Sequence, residues 1–293
     1  MKLDDVDGDD FAIEDRRGRG GGLGGITMGR GAKMGIPALI VAVIGILLSQ
    51  AGGGDGGSGF DLDDALGGLT GDPGVEQSAP SDVDDGRDAQ EEFVGQVGSL
   101  LQDYWSEAFA ASDEPFRQAS LVVFDQPTDT GGCGVGQPEA GPFYCPASEK
   151  IFIDFGFYER LEDRLGFEGD FAMAYVLAHE YGHHIQTLLG VNDELRKAQA
   201  NASQSEANAL SVSFELQADC LAGVWAHSAY EDQRLESGDL DEALDAASAV
   251  GDDSISGGST PRESFTHGSS AERKEWFTTG FESGDASRCD TFA

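Results

Sequence analysis

The apolar residues Phe171, Tyr175, Ala178, Gly182, Ile185 and Leu189 recur at steps of three and four, the spacing of a helix packed along one side. Inside that stretch runs Ala178-His179-Glu180-Tyr181-Gly182-His183-His184. A four-residue step puts the His179 and His183 imidazoles on one helix face, with the Glu180 carboxylate beside them. Neutral imidazole nitrogen is a strong ligand for Zn²⁺, and a catalytic zinc site takes three protein ligands and leaves a fourth position for water. Two histidines at this spacing, with a glutamate after the first, read as a zinc site that carries its own base. Asp170 reads as the N-cap of this helix and Leu189-Gly190 as its end.

The third ligand must come from elsewhere. Phe214-Glu215-Leu216-Gln217-Ala218-Asp219-Cys220 offers two carboxylates four residues apart in an apolar, helix-compatible stretch. Glu215 is the natural third ligand. Asp219, one turn later on the same face, can accept the outer N–H of a ligating histidine, which fixes its tautomer and strengthens it as a donor. The plainer reading is two hydrogen-bonded core histidines on a buried helix, and the acidic pair argues against it.

Five separated blocks occur in order: Thr130-Gly131-Gly132-Cys133-Gly134, Gly141-Pro142-Phe143-Tyr144-Cys145-Pro146, the His179 to His184 run, Glu215 to Cys220, and Ser264-Phe265-Thr266-His267-Gly268. On these blocks the stretch from about Glu91 to the C-terminus resembles the bacterial neutral zinc metallopeptidase family. The resemblance implies a gluzincin-like fold, zinc held by His179, His183 and a glutamate, and peptidase activity; it adds no substrate. The chain departs from the family in its acidity and its long Gly/Asp-rich linker, and neither departure touches these residues.

The expected architecture is α+β and mostly helical: a zincin-like domain over 91–293 with a small sheet. Residues 1–33 lack apolar periodicity and are expected as a disordered cytoplasmic tail. Met34 to Ala51 is an uncharged run, near the minimum length for spanning a bilayer, and reads as one transmembrane helix. Arg16, Arg17, Arg19, Arg30 and Lys33 precede it, so the positive-inside rule places the N-terminus in the cytoplasm and the domain outside. A cleaved signal peptide is the competing reading. Residues 52–90, rich in Gly, Asp, Ser and Pro, read as a flexible tether.

Phe93, Val97, Leu100, Leu101, Tyr104, Trp105 and Phe109 have the spacing of a first amphipathic helix. Ser120 to Phe124 and Lys150 to Phe155 read as strands, and Ile151 to Phe155 either as an edge strand able to hold an extended peptide or, equally, as an ordinary sheet strand. Four cysteines, with no Cys-x-x-Cys pair, fit two disulfides of an exported domain in any of three connectivities; loop proximity favours Cys133 with Cys145 and Cys220 with Cys289, and free buried thiols are the alternative. The net charge of −36, with five lysines in the whole chain, argues against nucleic acid or anionic lipid as a partner. Its plain reading is a solvated acidic surface.

The chemistry these residues point to is metal-assisted hydrolysis of a peptide bond, with Glu180 as general base taking a proton from water and returning it to the leaving amine. A developing oxyanion needs a second electrophile, and His267 is the candidate. Thr266-His267-Gly268, with Arg273 six residues after the histidine, resembles the His and Arg arrangement of membrane-embedded gluzincins that process prenylated proteins, although Gly268 stands where they have proline. Alternatively His267 caps the helix carrying Arg273, Trp276 and Phe277. Tyr181 and Tyr230 are further oxyanion candidates, and His184 and His227 take packing or surface positions. Two other classes remain: a zinc-binding envelope scaffold without turnover, and a membrane-tethered binding module for cationic ligands. Glu180 argues against the scaffold, since a structural site needs no base.

Overall fold

The computed structural model describes residues 1–18, 88–157 and 169–292. In chain order the strands are β1 (Ile13–Asp15), β2 (Ser120–Val123), β3 (Thr128–Asp129), β4 (Val135–Gly136), β5 (Phe143–Cys145) and β6 (Lys150–Ile153). The helices are α1 (Asp88–Ala111), α2 (Asp170–Leu188), α3 (Val191–Gln199), α4 (Gln204–Glu231), α5 (Asp239–Ala249), the single turn α6 (Asp252–Ile255) and α7 (Ser270–Ser283). The α+β, mostly helical expectation holds. Among the described residues no helix is long and apolar enough to cross a membrane. The expected transmembrane helix at 34–51 lies outside them, as does nearly all of the expected tether; residues 88–90, assigned to the tether, instead open α1.

The sheet has the order β1-β2-β6-β5, with β1, β2 and β6 parallel and β5 antiparallel to β6. The alternation of Leu121 and Val123 with Val122, and of Ile151 and Ile153 with Phe152, sends the first set into the main core. Val122 and Phe152 join Phe124 and Cys145 in a small cluster on the other face. The edge-strand reading of Ile151–Phe155 is therefore corrected. β6 is internal, paired on both sides, and the terminal strand next to it is β5.

A second correction concerns the N-terminus. Residues 1–18 do not behave as a disordered cytoplasmic tail: β1 pairs with β2 from Ile13↔Leu121 to Asp15↔Val123, and Met1, Leu3 and Phe11 are buried in the main core. Strand pairing puts these residues in one compartment with the domain, so they cannot lie across a membrane from it. The polarity of the segment misled because its few apolar side chains are anchors rather than a periodic face. Phe11 fits where α1 has Gly98, at which a Cβ would lie 2.1 Å from the Phe11 ring. The Met1 amine is taken up by Asp170 at 2.9 Å, Glu236 at 3.1 Å and Asp239 at 3.3 Å. Asp170 is consequently not the cap of α2. Gly169 holds that position, and Glu242 accepts the Phe171 N–H at 3.0 Å.

The long helices meet through glycine. At Gly182 of α2 an added Cβ would stand 3.0 Å from the Ala218 carbonyl of α4. At Gly223 of α4 it would lie 2.1 Å from Phe277 O, and at Gly280 of α7 2.0 Å from Cys220 O. These contacts let α2, α4 and α7 approach backbone to backbone. Ser203 and Ser269 start α4 and α7 with capping boxes closed by Glu206 and Glu272. Both expected disulfides are present, Cys133–Cys145 tying β5 to the β3–β4 loop and Cys220–Cys289 tying α4 to the C-terminal segment.

Candidate metal centre

The close crossing of α2 and α4 at Gly182 and Ala218 brings together two residues of each helix, His179 and His183 with Glu215 and Asp219. His179 and His183 on α2 face Glu215 on α4, and all three are buried. His179 Nε2 lies 3.2 Å from Glu215 Oε2, and His183 Nε2 lies 3.6 Å from Glu215 Oε1. Nitrogen and oxygen ligands about 2.0–2.1 Å from a tetrahedral zinc ion stand roughly 3.3 Å from each other, so this spacing fits Zn²⁺.

The outer ring nitrogens settle which atoms face inward. His179 Nδ1 lies 2.8 Å from Asp219 Oδ1, and an ionised carboxylate only accepts, so Nδ1 carries a proton and Nε2 is the nitrogen turned to the metal position, whose lone pair is freed when the ring is neutral. His183 Nδ1 lies 2.7 Å from Gln186 Oε1, and Phe214 stacks on its ring with centroids 4.9 Å apart. Asp219 is fully buried and has four donors: His179, the Tyr175 hydroxyl at 2.6 Å, and Arg273 through Nε at 2.8 Å and Nη2 at 2.9 Å. Burial works against its charge, but Arg273 and His179 outweigh burial and hold the Asp219 pKa at about 2. Burial likewise opposes a charged His179, yet Asp219 and Glu215 push its pKa up to about 9 in the metal-free protein. Burial opposes the charge of Glu215 too, and there the His183 and His179 rings prevail, keeping its pKa well below the usual range.

Glu180 is buried beside the pair. Burial raises its pKa, with His183, His179 and the Tyr144 backbone N–H of β5 pulling the other way. His267 is buried on the loop before α7. Asp252 accepts from the His267 backbone N–H at 2.7 Å and pairs with its Nδ1 at 3.1 Å, and a charge on His267 acts on Glu215. It does not cap α7, because Ser269 does. The two tyrosine alternatives fall away. Tyr181 is buried against His184 and the Ala119 backbone, and Tyr230 sits exposed, 15 residues along α4 from Glu215, about 22 Å at helical rise. His184 bridges the Tyr144 hydroxyl and the Arg117 carbonyl, and His227 bonds the Phe281 carbonyl, so both are packing residues.

A sequence model described as "Putative neutral zinc metallopeptidase" matches residues 3–292. The chain belongs to that family. Uncharacterized protein YpfJ of Escherichia coli (strain K12) is 43% identical over 289 residues, covering 96% of this chain and 95% of the relative. Uncharacterized protein Rv2575 of Mycobacterium tuberculosis (strain ATCC 25618 / H37Rv) is 45% identical over 176 residues, 55% of this chain and 58% of the relative. No solved structure matches the chain. Membership in a zinc-peptidase family implies a hydrolase with a zinc cofactor, and the donor set of His179, His183 and Glu215 agrees with that metal in number and chemistry.

The sequence pointed to the three donors and Asp219. It missed Tyr175 and Arg273 as donors to Asp219, Asp252 as the partner of His267, and Gln186 as the partner of His183. For Gln186 a signal existed, since it lies three residues from His183 on the same helix.

Proposed function

We propose that the chain is a zinc endopeptidase in which His179, His183 and Glu215 hold the metal and Glu180 is the general base. Three donors of zinc-ligand chemistry converge with a carboxylate of raised pKa beside them, and that single arrangement carries the reading. Zinc, when bound, supplies the Lewis acidity that lowers the pKa of water and polarises a carbonyl. Glu180, poised by burial, takes a proton from the attacking water and delivers it to the leaving amine. β5 is the terminal strand of the sheet and its Tyr144 backbone acts on Glu180, so an extended peptide pairing with that strand would run near the base. His267, its Nδ1 held by Asp252, has its Nε2 left to donate to a developing oxyanion. Asp219 orients His179.

The two disulfides favour an oxidising location outside the cytoplasmic membrane, and residues 34–51 are the proposed attachment to it; because residues 1–18 pair with the domain, that attachment is proposed at one face of the membrane rather than as a single crossing. Deleting 34–51 is then expected to move the protein from the membrane to the soluble fraction. The decisive test of activity compares wild type with Glu180→Gln on a diverse peptide library at matched zinc content. Loss of cleavage by about a hundredfold or more is expected for a missing base; equal cleavage removes the peptidase reading.

A further inference from the structure

The second zinc histidine has no carboxylate behind it. Its outer nitrogen meets an amide instead, and an amide can face either way. Around His183 each choice is made by a group that has only one role. The backbone carbonyl of Cys289 only accepts, so the Gln217 group 2.9 Å from it is the amide nitrogen, and the Gln217 oxygen turns inward. That oxygen lies 3.0 Å from Gln186 Nε2, and the Phe214 carbonyl lies 2.7 Å from the same nitrogen. Both are acceptors, so Gln186 must present its nitrogen to them and its oxygen to His183. At 2.7 Å the oxygen accepts the Nδ1 proton, which leaves the lone pair of Nε2 aimed at the metal position. Gln186 is fully buried. The Cys289 carbonyl is itself fixed to α4 by the Cys220–Cys289 disulfide, so the chain of amides begins and ends on the helix that carries Glu215.

We infer that Gln186, set by Gln217 and the Phe214 carbonyl, is the positioning residue that selects the metal-binding tautomer of His183. The inference rests on the zinc reading of the centre but needs no cleavage. Partners of this kind, when removed, typically lower metal affinity about 10–100-fold. Gln217 acts one step further out and shares its task with Phe214, so its loss has a smaller effect.

Zinc affinity of the disulfide-intact protein, measured by competition with a chromophoric chelator, tests this. Gln186→Leu is expected to bind zinc about 10–100-fold more weakly than wild type. In the zinc-loaded wild type the His183 Nδ1–H should appear as a slowly exchanging ring proton by NMR, and in Gln186→Leu it should exchange rapidly. Gln217→Leu should weaken zinc in the same direction but by less, because the Phe214 carbonyl still holds the Gln186 nitrogen. Equal zinc affinity for wild type and folded Gln186→Leu overturns the inference; if Gln186→Leu does not fold, wild-type zinc affinity in Gln217→Leu overturns it. Wild type that holds no zinc would sink the zinc reading and this inference together, while wild type that holds zinc and cleaves nothing sinks only the peptidase reading.

Discussion

Arg273→Met removes the one fixed positive charge that touches Asp219. Asp219 then keeps Tyr175 and His179 and loses two charge-assisted hydrogen bonds of 2.8 and 2.9 Å inside a pocket where neither partner is solvated. Each such bond is worth about 1.5–3 kcal/mol net, and breaking a buried pair from one side generally costs about 3–5 kcal/mol. The expected loss in unfolding free energy is therefore about 3–5 kcal/mol, read from urea denaturation of the zinc-free, disulfide-intact protein. The pH profile carries a second signature. The Asp219 pKa of about 2 lies below its ordinary 3.8, so its contribution, about 2 kcal/mol, is full above roughly pH 4 and is lost as pH falls through 2. Arg273→Met should flatten that acid limb. Asp219→Asn combined with Arg273→Met should cost less than the sum of the single changes by about 1–3 kcal/mol, the signature of coupled partners. A single-variant loss below about 1 kcal/mol, or strict additivity, refutes the account of Asp219 as a carboxylate held ionised by Arg273.

Gly280→Ala places a Cβ 2.0 Å from the Cys220 carbonyl, so α7 must move off α4; a loss of about 3 kcal/mol in urea unfolding is expected, and an unchanged midpoint would contradict the close crossing. Replacing both cysteines of the Cys220–Cys289 pair, 69 residues apart, should lower thermal stability more than replacing Cys133 and Cys145, 12 apart, since loop entropy assigns them about 4 and 3 kcal/mol as upper values; the reverse order would contradict that ranking. Phe11→Ala empties the space over Gly98 and should cost about 3–5 kcal/mol, a loss that an unpacked N-terminal segment would not suffer.

The centre was legible because it is written in local spacing: His179 to His183 and Glu215 to Asp219 are each one helical turn, and burial of both helices turns each pair toward the same space. The disulfide pairing was favoured only on the nearness of Cys133 and Cys145 in the chain, which leaves Cys220 for Cys289; the three possible connectivities are separated by the fold. What the sequence hid depends on tertiary contact. Arg273 meets Asp219 only because Gly223 and Gly280 let two helices touch, which no periodicity announces. β1 was hidden for a different reason: three residues, Ile13 to Asp15, are too few for an alternation to show, and their apolar neighbours serve a core built by residues 88 and beyond. Ile151 to Ile153 read correctly as a strand, but the sequence left edge and interior equally open, because strand order is set by the return of β5 rather than by the strand's own residues.

That first strand makes the protein, in effect, a two-piece assembly joined by a connector. β1, the Phe11 ring and the anchored amine hold residues 1–18 to the rest without help from the covalent link through 19–87. A protease that nicked the connector would therefore release two polypeptides on a denaturing gel that still migrate as one species under native conditions. Cutting on the C-terminal side of residues 34–51 would leave any anchor attached only to the small piece, and the larger one would stay tethered for as long as a three-residue strand keeps its grip.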